Sequence, residues 1–289
     1  MATTHRKDAV RAMNLNEETP LSHNETGSRS PFPPALLDKL LAFGVLLVCC
    51  TLLVAIRCKF FTAGGNEGAC AWITAFSVAV MLLLSIRSRR TILPTFRHGL
   101  LSVTFASAMS AFLLVSATVI SVYYANFASV KQADESTVIS FLMKAFALLT
   151  AAYFLLSSAT DKLREKKTLH LLLSMAPIFF CALRVLNTFI NNSTLPLASS
   201  GGYRILGMIF AMLFFLNEGK LLLGMKNASA YQFTGFAAVI FCASYDLPLL
   251  ITGIREGGSW RNASFSLLTL GLVVYILARI ATLPARKEE

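Results

Sequence analysis

Eight runs of apolar residues, each close to the length that crosses a bilayer, alternate along the chain with short polar connections. A helix rises about 1.5 Å per residue, so a hydrocarbon core of about 30 Å takes about 20 residues. The runs are Leu40–Ile56, Cys70–Ile86, Gly99–Tyr124, Thr137–Ser158, Thr168–Ile190, Tyr203–Gly224, Tyr231–Ile254 and Ala263–Leu283. Lipid offers no hydrogen bonds to an open backbone, so each run is expected to be a helix. Composition demands the same solvent. Hydrophobic residues make up 55% and charged residues 14% of the 289 positions. A water-soluble domain carries about 25% charged residues.

The expected fold is therefore all-α: a polytopic membrane helix bundle of about eight transmembrane helices over residues 35–284. A polar tail, residues 1–34, is expected to be disordered and cytoplasmic, and residues 285–289 form a short cytoplasmic tail. The sixth run is the least certain in extent, because Glu218 and Lys220 interrupt its end.

Basic residues orient the bundle. Arg6, Lys7, Arg11, Arg29 and Lys39 precede the first run. Arg87, Arg89, Arg90 and Arg97 fill the second connection, and Lys162, Arg164, Lys166 and Lys167 the fourth. Basic loops stay in the cytoplasm, so both termini are expected inside. The net charge of +11 then serves topology and the anionic headgroups of the cytoplasmic face rather than nucleic acid. The compact loops favour a bacterial cytoplasmic membrane.

Cys58 and Cys70 bracket a glycine-containing loop, where a disulfide is feasible if the loop faces an oxidising compartment. The third run repeats small residues, Ser102, Ala106 and Ser110, with Ser107 and Ala111 beside them. Small residues at that spacing let helices approach closely, which suggests a central position for this helix; plain Ala/Ser composition is the other reading.

Ionisable groups within a span cost free energy and are the candidates for function. Lys144, Arg184 and Asp246 lie on the fourth, fifth and seventh runs, at a shared depth of roughly 9–12 Å from the outer boundary. Two cations and one anion at that depth could converge into a ligand-binding or coupling site. Tyr245 and Pro248 flank Asp246, and Pro248 removes one helical hydrogen bond there. Against this, Lys144 and Arg184 are long enough to snorkel, and Asp246 could belong to a structural ion pair. Near the inner boundary, Asn217 and Glu218 form a second polar site. Glu218 and Lys220 do not share a helix face, so Glu218 is expected to find its partner elsewhere, in the Arg87, Arg89 and Arg90 cluster.

No metal, hydrolase or nucleotide motif is present: HExxH, GxSxG and the Walker loop are all missing, and no cofactor is implied. Two functional classes remain. One is binding or translocation of a small solute, anionic or proton-coupled. The other is a non-catalytic membrane sensor, assembly factor or accessory subunit.

Overall fold

A computed structural model describes residues 34–63, 67–87, 101–127, 137–158, 167–192, 199–225, 228–255 and 260–283. Among these the fold is entirely helical. The helices are α1 (Pro34–Ala63), α2 (Glu67–Arg87), α3 (Leu101–Phe127), α4 (Thr137–Ser158), α5 (Lys167–Asn192), α6 (Ser199–Leu222), α7 (Ala228–Arg255) and α8 (Trp260–Ala281). All eight are long and apolar enough to cross a membrane.

Proline and glycine explain how individual helices start, continue or stop. Pro34 opens α1, where its missing N–H would have no helical partner in any case. Helix α6 runs straight through Glu218 and Lys220 and ends on Gly224, whose φ of 85° suits a residue without a Cβ. There Gly224 N donates to Leu221 O at 3.0 Å and Met225 N to Lys220 O at 3.0 Å, capping two orphan carbonyls. Pro177 and Pro248 sit inside α5 and α7 without ending them.

Helices α3 to α8 form a closed ring. Each packs on the next in sequence, and α8 returns to pack on α3. Helices α1 and α2 pack on one another and on α7, outside that ring. Helix α7 is therefore the hub: 72% of its apolar window is buried, against 11% for α1.

The small-residue stripe of α3 faces α8 rather than the centre of the bundle. Ser107, Ser110 and Ala111 are buried, and a Cβ built on Gly271 of α8 would lie 3.1 Å from Ser110 O. The centre belongs to α7, whose Cys242 packs against Gly207 of α6 so closely that a Cβ there would lie 2.8 Å from the Cys242 Sγ. Small residues license close approach, but any helix face can use them.

Candidate functional site

Polar side chains tie the ring together in two buried layers, one toward each end. The first is built on the start of α6, the second half of α5 and α7, and the start of α8. Asp246 on α7 is its anion and is 1% exposed. Arg204 Nη2 lies 3.3 Å from Asp246 Oδ1, and Ser266 Oγ donates to the same oxygen at 3.3 Å. Thr269, four residues beyond Phe265, donates its hydroxyl to Phe265 O at 3.2 Å. Arg184 on α5 is buried and reaches across to α8, where its Nη2 donates to Phe265 O at 3.2 Å. Its guanidinium carbon lies 4.2 Å from the Phe265 ring centroid, a cation–π distance. Arg204 lies over Tyr245 at 5.4 Å.

One carboxylate thus serves a layer with two guanidiniums, and among the described residues only Arg204 pairs with it directly. The hydrogen bonding is also incomplete, because Arg184 Nε, Arg204 Nε and Asp246 Oδ2 are buried with no partner. Arg204 is the member open to the surroundings, with its side chain 18% exposed.

The predicted trio is brought together only in part. Arg184 and Asp246 join one cluster, with Tyr245 at its edge and Pro248 buried on the following turn. Lys144 stays half-buried on α4 and makes no ion pair with Asp246 among the described residues. Arg204 occupies the role expected of Lys144. It is the second residue of the sixth run, just after the Gly201–Gly202 pair, and so reads in sequence as a cation at the boundary of the span.

The second layer lies at the other end. Glu218 of α6 is fully buried, and Arg279 Nε of α8 donates to its Oε1 at 2.6 Å. Tyr275 Oη donates to the same oxygen at 3.1 Å, leaving Glu218 Oε2 with no partner. Asn217 Nδ2 donates to Thr234 Oγ1 of α7 at 3.4 Å. The expected partnership with the Arg87, Arg89 and Arg90 cluster is corrected here: Glu218 pairs with α8 and not with Arg87, while Arg89 and Arg90 lie outside the described residues. Tyr275 and Arg279 are four residues apart and so share one face of α8, and that face points into the ring.

Rings fill the space above this layer. Phe154 of α4 stacks on Tyr275 at 3.9 Å between centroids and 11° between planes, and Phe215 of α6 lies 6.0 Å from Phe154. Cys58 and Cys70 are both present as thiols, with no bond between them.

Compared with protein-family models, with curated proteins and with solved structures, the chain matches none.

Proposed function

We propose that this integral membrane protein binds a small anionic solute at the Arg184–Arg204–Asp246 cluster and carries it across the bilayer. The observation that carries this reading is the charge count: the buried guanidinium of Arg184 and the partly exposed one of Arg204 stand in one layer with a single buried carboxylate. Unbalanced buried charge is costly, and an anion entering beside Arg204 would neutralise it. Asp246 then acts as the internal competitor of the solute, holding Arg204 when the site is empty. The hydroxyl of Ser266 keeps one hydrogen bond on the carboxylate when Arg204 turns away. The Glu218–Arg279 layer closes the opposite end of the same helices, as alternating access requires of a carrier.

A second reading is favoured by one observation, the near-complete burial of Arg184 and Asp246. On that reading the cluster is a lock that fixes helix positions in a non-catalytic accessory or sensor protein.

Thermal stabilisation of the purified protein by inorganic phosphate, sulfate and succinate separates the two. The carrier reading expects a shift with at least one anion, lost in Arg184→Gln and Arg204→Gln and retained or enlarged in Asp246→Asn. The lock reading expects no shift with any of the three and lower stability in all three variants.

A further inference from the structure

A third buried arginine stands apart from both layers. Arg57 of α1 is 5% exposed, and its guanidinium carbon lies 3.9 Å from the ring centroid of Tyr203 on α6. Its Nε has no partner, and no carboxylate among the described residues pairs with it. Stacking on a ring compensates part of a cation's lost hydration, but it satisfies none of the in-plane N–H donors. Five donors in a planar fork match a phosphate or a carboxylate.

Depth decides between these. The apolar window of α1 runs Lys39–Cys58, 20 residues, or about 30 Å of helix. Arg57 stands at the far edge of that window, level with the phosphate groups of one leaflet. The outward side of the same helix is apolar, with Leu47, Val48 and Leu52 at 66%, 62% and 50% exposed, as a helix bathed in acyl chains requires.

We infer that Arg57, stacked on Tyr203, forms a phosphate-binding site at the seam between α1 and α6, filled by the headgroup of a bound phospholipid. Such a lipid would fasten α1, which has little protein around it, to the helix ring.

Native mass spectrometry of the purified full chain tests this, with phosphatidylglycerol, diacylglycerol and inorganic phosphate as probes. The wild type should retain one phosphatidylglycerol about tenfold more tightly than Arg57→Gln, which corresponds to the loss of one charge-assisted contact. Diacylglycerol, which lacks the phosphate, should not distinguish the two. Binding of inorganic phosphate that also depends on Arg57 would keep the site and make a soluble phosphate its source. Equal retention of every probe by wild type and Arg57→Gln overturns the inference. Should Arg57→Gln fail to fold, Tyr203→Leu keeps the charge and removes the stack. Unchanged phosphatidylglycerol and phosphate binding in that variant overturns it equally.

Discussion

Arg279 and Glu218 meet across the ring at 2.6 Å, with both side chains buried. They lie on α8 and α6, which are separated in sequence by the whole of α7. Removing one partner strands the other in a low-dielectric interior, a loss of about 3–5 kcal/mol. Glu218→Gln is therefore expected to lower the unfolding midpoint of the detergent-purified protein substantially. The double change Glu218→Met with Arg279→Leu should recover much of that loss. A single variant as stable as wild type would show that the pair carries no structural weight.

The three ionisable groups of the other layer should not respond alike. Asp246→Asn removes the anion that holds Arg204, so affinity for a stabilising anion is expected to hold or rise. Arg204→Gln removes a donor and should weaken it about tenfold or more. Anion titration of both variants checks the sign. Parallel losses in the two would favour the lock.

Lys144 is the control. It is half-buried and pairs with no carboxylate of either layer. Lys144→Gln should change stability by no more than about 0.5 kcal/mol and leave anion binding unaltered. A loss of binding in this variant would mean that α4 contributes to the site after all.

Helix contacts should be sensitive at the two glycines whose Cβ would meet the backbone of a neighbouring helix. A Cβ at Gly207 would meet Cys242 Sγ at 2.8 Å and Cys242 N at 3.2 Å, and one at Gly271 would meet the Ser110 carbonyl at 3.1 Å. Backbone atoms cannot swing aside, so Gly271→Val and Gly207→Val should each cost about 1–3 kcal/mol. Gly44→Ala, with open space around its Cβ, should cost nothing in packing. Unfolding midpoints measured on all three variants would rank them; Gly44→Ala as damaging as the others would contradict this packing.

Eight crossings would put both termini on one side of the membrane, and from the basic connections we expect that side to be the cytoplasm. Fusions of a cytoplasm-active fluorescent protein to each end should both fluoresce. One dark fusion would mean an odd number of crossings or an inverted bundle.

The ionic sites were legible only in part, for reasons visible in particular residues. Asp246 and Glu218 stand out in sequence because a short carboxylate inside an apolar run has no route to water. Their partners do not stand out. Arg204 is the second residue of the sixth run and reads as a cation at its boundary. Arg279 lies within a turn of the end of α8 and reads as interfacial. Lys144 has the depth expected from its place in the run, yet it makes no ion pair with Asp246 among the described residues.

What the sequence determined by itself is the class of fold and its segments. Hydrocarbon thickness and the need to satisfy every backbone N–H set the length of a span, and both act on each helix alone. Which helices adjoin is a different matter. Lipid is as apolar as leucine, so burial gives little preference for one apolar face over another. Only the tertiary structure decided that α7 is the hub, that α3 closes on α8, and that Arg204 rather than Lys144 reaches Asp246. Those choices rest on close approach at Gly207 and Gly271 and on charged groups finding each other across the ring. Both depend on residues far apart in the chain.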